Sequence, residues 1–415
     1  VRLLQRSPGG DYIEHLLDSA LARTQLSPAD RHLCQELVYG IVRWQATLDW
    51  LVARKTGNRA QKSLLQNLLR LGLYQVFWLD RIPHHAAVNE TVELARQSGL
   101  SRQAGFVNAV LRAYVREFDA TRQLLAQLKV SEPPLGYSHP VWLAARWSQR
   151  WGPDLAARLM EWNNTPPAAF ARVNTLKTDP AKLLAQWRQE QVEFDPVRRD
   201  WLEENLLFEL KSHPPLARLP SFQQGLFYVQ DPSTLLAPRE LDPQPGQTVL
   251  DLCAAPGGKL IYLAQRMANQ GHLLAHDTAP DRLRLIQENC ARLGVTCVST
   301  FNPHSSTLFD RILADVPCSN TGAMRRRVDL RWRLRIEDVQ RARGNQLQLL
   351  RQAAALLRPG GRLVYSTCSL EPEENQEAVT QFLSEHPGFK LERQRELLPF
   401  VDKVDGAFVA CFTRP

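Results

Sequence analysis

Four short apolar runs, QTVLDLCAA, GHLLAHD, FDRILADV and GRLVYST, recur between Gln247 and Thr367, separated by amphipathic stretches such as APDRLRLIQENCARLG and QLQLLRQAAALLRPGG. Strand and helix alternating at this interval bury both faces of the strands when each helix crosses back over the sheet. The pattern therefore predicts a doubly wound, mainly parallel α/β sheet over residues 225–415. Ligands bind such sheets beyond the carboxyl ends of the strands. The residues just after each run are the candidates for chemistry: Cys253–Lys259 (CAAPGGK), Asp277, the stretch DVPCSNTG from Asp315, and Thr367-Cys368-Ser369.

Upstream the period changes. From Asp11 to about Phe118 apolar residues recur at helical spacing, and Ser27-Pro28 reads as an N-cap followed by proline at the first helical position, leading into one helical run to Thr56. This predicts an all-helical bundle over residues 1–130. The proline-rich SEPPLGYSHP closes it. Beyond, a short helical region and the segments AFARVNTLKT, DPAKLLAQWRQEQ and FYVQDPS predict a small α+β connecting subdomain over residues 131–224.

The formal net charge is +8, of which residues 1–130 supply +6, from 17 Lys and Arg against 11 Asp and Glu. A field of that sign draws polyanions, and it serves solubility equally well. No window is apolar for long enough to span a bilayer and the first residues lack a secretory signal, so a cytoplasmic protein with no membrane attachment is expected. Seven cysteines, an odd number without a Cys-x-x-Cys pair, suit a reducing compartment and give no metal-ligand pattern, so no metal is expected.

Gly257-Gly258 lets the backbone approach a ligand where strand turns into helix. Asp277, 19 residues beyond Gly258 at the end of the next run, can accept hydrogen bonds from both hydroxyls of a ribose. On spacing alone, NAD fits as well as S-adenosylmethionine. The loop is not G-x-G-x-x-G, however, and its proline-containing turn makes no provision for a pyrophosphate, which favours S-adenosylmethionine. Free cysteine is more often an inert buried residue than a catalyst, and that reading serves Cys34, Cys290, Cys297 and Cys411. Cys318 and Cys368 differ, because they follow runs expected to form neighbouring strands beside the cofactor loop. A thiolate that adds to C6 of cytosine makes C5 nucleophilic toward a sulfonium methyl group. Asp315 is placed to bond the N3 and N4 edge of such a ring, and the helix expected to begin in LEPEEN would help hold the thiolate. Spacing leaves open which thiol attacks.

The stretches LDLCAAPGGK, DVPCSNTG and YSTCSLEPEEN resemble the motifs of the RNA (cytosine-5) methyltransferase family. The resemblance implies that Cys368 is the nucleophile and that Cys318 helps resolve the adduct. It also implies an S-adenosylmethionine site formed by Cys253, Ala254, Ala255, Pro256, Gly257, Gly258, Lys259, Asp277, Asn302 and Asp315. Further upstream, ELVYGIVRW, LGLYQVFWLDRIPHHAAVNETVELA and GFVNAVLR are similar to the NusB-like RNA-binding domain of bacterial small-subunit rRNA methyltransferases of the RsmB (Sun/Fmu) type. ARVNTLKT and YVQDPST are similar to the connecting subdomain of that type. The implied fold is a Rossmann-like α/β methyltransferase domain preceded by an all-α NusB-like bundle and a small α+β subdomain. The implied activity is methylation of C5 of one cytosine in 16S rRNA, free or early in assembly; a monomer is expected. Asn302 departs from the family, which has at that place an Asp that meets the adenine amino group of the cofactor, and a neutral acceptor makes the weaker bond.

Six arginines and Trp332 lie between Arg325 and Arg335. Arg325, Arg326, Arg327 and Arg331 can grip phosphates while Trp332 stacks on a displaced base; the bland alternative is a solvated helix face. Two other functions stay open in the sequence. One is an RNA-binding assembly factor with a decayed transferase domain, motivated by Asn302. The other is a nicotinamide-dependent oxidoreductase, which has no use for paired thiols.

Overall fold

The computed structural model describes residues 3–4, 11–278, 280–301 and 307–415, so Asn302 lies outside the described residues. The chain forms two compact units. One runs to Pro166 and takes in Met324–Leu334; the other begins at Pro167 and leaves that segment out.

The first unit is helical. Ser27 caps the helix Pro28–Arg43, its hydroxyl accepting from the Asp30 N–H at 3.1 Å. The run expected to continue to Thr56 breaks at Trp44, and a second helix, Gln45–Thr56, follows. These helices, with Ser63–Trp78, His84–Gln97 and Ala104–Arg116, enclose a core that includes Ile41, Leu51, Leu68, Leu73, Val107 and Leu111. SEPPLGYSHP stays fastened to this bundle. The Ala46 N–H donates to the Ser138 hydroxyl at 3.0 Å, and the Thr47 hydroxyl donates to the Leu135 carbonyl at 2.7 Å.

The second unit holds two sheets. Strands β1 (Ala169–Val173), β2 (Glu193–Pro196), β3 (Leu207–Ser212) and β4 (Phe227–Val229) form an antiparallel sheet in the order β2-β3-β1-β4. Helix Pro180–Gln189 covers it, with Trp187 wedged edge-on against Phe208 and Phe227. The larger sheet comprises β5 (Thr248–Asp251), β6 (His272–Ala275), β7 (Val298–Thr300), β8 (Phe309–Asp315), β9 (Leu357–Thr367), β10 (Lys390–Leu397) and β11 (Ala407–Thr413). Its order is β10-β11-β9-β8-β5-β6-β7; β5 to β9 run parallel, and β11 pairs antiparallel with both its neighbours.

Alternate residues of the central strands point to opposite faces. Val249, Leu273, Leu313 and Val364 meet helices Gly258–Arg266 and Pro280–Leu293, while Leu250, Ile312, Leu363 and Phe412 meet Ile336–Leu356 and Gln376–Glu385. Burial on both faces is what a parallel sheet requires. The strand order reverses between β5 and β8, and the crevice of a doubly wound sheet opens at such a reversal. Among the described residues no helix is long and apolar enough to cross a membrane.

Candidate active site

The loop from β5 to helix Gly258–Arg266 turns through Gly257, whose φ of +105° is one that side chains rarely adopt. Asp277, just past β6, accepts a hydrogen bond from the Ala255 N–H at 3.3 Å. Arg282, which the sequence did not single out, donates to the Ala255 carbonyl at 2.8 Å and lies 3.5 Å from Asp277. Loop and carboxylate are thus held together.

Lys259 ends the loop with its ammonium 2.6 Å from Asp315, at the tip of β8. Burial works against that charge, but Asp315, with Cys368 and Asp251 nearby, outweighs it and raises the ammonium's pKa. Asp251, at the end of β5, is fully buried. Burial, reinforced by Asp315, pushes its carboxyl up to about 8. Burial and the same acids push the Cys253 thiol up, so it remains protonated. With Asp251 protonated, the carboxylates of Asp277 and Asp315 match Lys259 and Arg282 around the loop, which therefore offers a pyrophosphate no excess of positive charge. Its carboxylate acceptors fit a ribose and a cationic sulfonium, as in S-adenosylmethionine, better than a dinucleotide pyrophosphate.

Strands β8 and β9 are parallel neighbours, with Asp315 opposite Ser366. They bring the sulfurs of Cys318 and Cys368 to 3.2 Å from one another, both side chains partly exposed. The Cys368 thiol donates to Asn320 Oδ1 at 3.0 Å, and Asn320 Nδ2 donates to the Cys318 carbonyl at 2.8 Å. The hydrogen bond to Cys368, together with burial, raises the Cys318 thiol well above its ordinary pKa. Gly322 donates its N–H to the Cys368 carbonyl at 2.9 Å; a Cβ there would sit 2.8 Å from that oxygen and 2.6 Å from the Gly406 carbonyl. The glycine of DVPCSNTG is needed for that approach. LEPEEN does not begin the helix expected beside the thiol. The helix starts at Gln376, because the acidic stretch folds back as a turn held by Glu374 and Asn375, and the positive charge acting on Cys368 comes instead from Lys259.

The arginine-rich segment belongs to the helical unit and is largely consumed by it. Arg331 is fully buried and donates to the carbonyls of Arg43, Ser138 and Asn163 at 3.0–3.2 Å and to Asn164 Oδ1 at 2.8 Å. Arg325 is buried 4.2 Å above the Trp162 ring. Trp332 donates its indole N–H to the Val42 carbonyl at 2.7 Å. Arg325 and Arg331 therefore hold the fold rather than phosphates, and Trp332 is tied to the bundle rather than presented to a base. Arg327 is exposed and Arg326 half-buried.

Three family models match the chain: 16S rRNA methyltransferase RsmB/F over residues 238–412, the NusB family over 4–116, and the RsmF/B-like ferredoxin-like domain over 139–207. A protein of Bacillus subtilis described as a probable ribosomal RNA small subunit methyltransferase B is 37% identical, the match covering 91% of this chain and 86% of that one. Ribosomal RNA small subunit methyltransferase B of Vibrio vulnificus is 34% identical over 96% of this chain and 95% of its own. Among solved structures, a methyltransferase homolog protein from Pyrococcus horikoshii superposes with a TM-score of 0.59 at 34% identity, covering 68% of this chain and 97% of its own.

Proposed function

Because the chain belongs to the RsmB/F family of 16S rRNA methyltransferases, we propose that it methylates C5 of a cytosine in 16S rRNA through a covalent adduct between Cys368 and C6. In this reading residues 1–130 bind RNA, 131–224 connect, and 225–415 carry out the transfer. S-adenosylmethionine, when bound, supplies an electrophilic methyl group. Cys253–Lys259, Asp277 and Asp315 would hold it, joined by Asn302.

The observation that carries the reading is the pair of sulfurs 3.2 Å apart at the tips of two parallel strands, beside the Lys259–Asp315 ion pair. The Cys368 sulfur, beside the Lys259 ammonium, adds to C6 as a thiolate and pushes electrons toward C5. Asp315, steadied by Lys259, accepts from the N4 amino group on the N3 and N4 edge of the ring. After methylation the C5 proton passes to water, its bonding electrons form the C5–C6 double bond, and the C6–S bond breaks with its pair left on Cys368. Cys318, kept protonated, donates a hydrogen bond to that departing sulfur.

Cys368→Ala is expected to abolish methyl transfer, and Cys318→Ala to accumulate RNA joined to protein, seen as a shifted band on a denaturing gel. Full turnover by Cys368→Ala would overturn the assignment. Calorimetry with S-adenosylmethionine tests the cofactor separately. Bisulfite sequencing of rRNA from a strain lacking the gene identifies the cytosine.

A further inference from the structure

We propose that Glu374 is a positioning residue that sets the two thiols against each other for adduct release, an inference that rests on the reading above. Each reactive cysteine is followed by a serine, Ser319 and Ser369, and both serines converge on this one buried carboxylate. Oε1 of Glu374 accepts from the Ser319 N–H at 2.8 Å and from Gln346 Nε2 at 2.9 Å. Oε2 accepts from both serine hydroxyls, which lie 2.9 Å from one another. Behind it, the Tyr365 hydroxyl donates to the Glu374 carbonyl at 2.6 Å, and Asn375 Nδ2 donates to the Ser369 carbonyl at 2.9 Å. The Leu370 N–H donates to the Thr321 hydroxyl at 2.8 Å, a second tie between the two loops.

A carboxylate taken fully out of water costs several kcal/mol unless its lone pairs are filled. Here four donors fill them: two from Ser319, one from Ser369 and one from Gln346, so the carboxylate joins the residues that directly follow the two thiols. Glutamine cannot reproduce this set, because its amide nitrogen only donates where the carboxylate accepts from both serine hydroxyls, and both hydroxyls would have to turn. The serines would then part and the sulfurs drift from 3.2 Å. Cys368 stays at the end of β9 beside Lys259, neither of which depends on the Cys318 loop, so addition to C6 survives. Release, which needs Cys318 at the departing sulfur, does not. A displacement of about 1 Å at such a contact costs up to about a hundredfold in rate.

The test compares wild type, Glu374→Gln and Ser319→Ala in turnover of 16S rRNA and in the fraction of RNA held covalently, with Cys318→Ala alongside. Melting curves and S-adenosylmethionine calorimetry check the fold and the cofactor site. Glu374→Gln is expected to bind cofactor as wild type does, to lose about tenfold or more in turnover, and to accumulate the covalent species. Ser319→Ala, which keeps the carboxylate and most of its bonds, follows in the same direction and carries the test should the glutamine variant fail to fold. Wild-type turnover without adduct in these variants overturns the inference. So does an equal loss of adduct and turnover at unchanged melting and cofactor affinity. If Cys318→Ala itself holds no adduct, the reading of the paired thiols fails instead.

Discussion

Asp251 carries a proton where an ordinary aspartate does not, and the cause is its position at the buried end of β5 beside Asp315. Its folded pKa of about 8 stands well above the value near 3.9 of a free side chain. Between these two values the folded protein holds a proton that the unfolded chain has released, so stability falls as pH rises through that window and levels off above it. Relative to Asp251→Asn, the wild-type melting temperature should drop by several degrees from about pH 4 to about pH 8, read by thermal melts at stepped pH. A constant difference between the two proteins across that range would refute the assignment of the proton. At this scale the sequence was informative wherever a residue ends an apolar run. The glycine turn, Asp277, Cys318 and Cys368 were legible because their place follows from the strand before them. Arg282, Asn320 and Glu374 were not, because each acts through partners that only the folded chain brings within bonding distance.

Strand and helix elements were legible in proportion to their period. β5, β6, β8 and β9 read clearly because both faces are buried, whereas β10, KLERQREL, exposes most of its charged residues and shows no apolar pattern. Nor could spacing show that Met324–Leu334, lying between two stretches of the α/β unit, packs with the helices. The segment ARVNT shows what such elements gain from tertiary contact. Asn174, directly after β1 and fully buried, donates to the carbonyls of Gly225 at 2.7 Å and Leu293 at 2.8 Å, and accepts from Gln265 at 2.6 Å. It thus pins the small sheet to the two helices that follow β5 and β6. Asn174→Ala leaves these buried groups without partners and should cost about 2–4 kcal/mol, measured by denaturant unfolding. The loss should appear in stability while Cys368 keeps its place.

For the whole molecule, net charge matters less than which charges reach solvent. Binding to RNA releases counterions for each phosphate neutralised, so log affinity falls linearly with log salt, at about 0.7 per contact for single strands. Arg327 is exposed; Arg331, four residues on, is enclosed by carbonyl oxygens, and burial beside Arg43 lowers its pKa well below the usual value. Both count equally in the formal charge of +8. Only the first can meet a phosphate. Arg327→Ala should therefore weaken RNA binding and reduce the salt slope by about 0.7, with melting unchanged, in anisotropy titrations between about 50 and about 200 mM salt. Arg331→Met should do the reverse. It strips four acceptors of their donor at a cost of about 3–5 kcal/mol, yet the salt slope of the folded protein stays as in wild type. A reduced slope in Arg331→Met at temperatures where it remains folded would mean that this guanidinium leaves its carbonyl cage to bind RNA, and the division between structural and binding arginines would have to be redrawn.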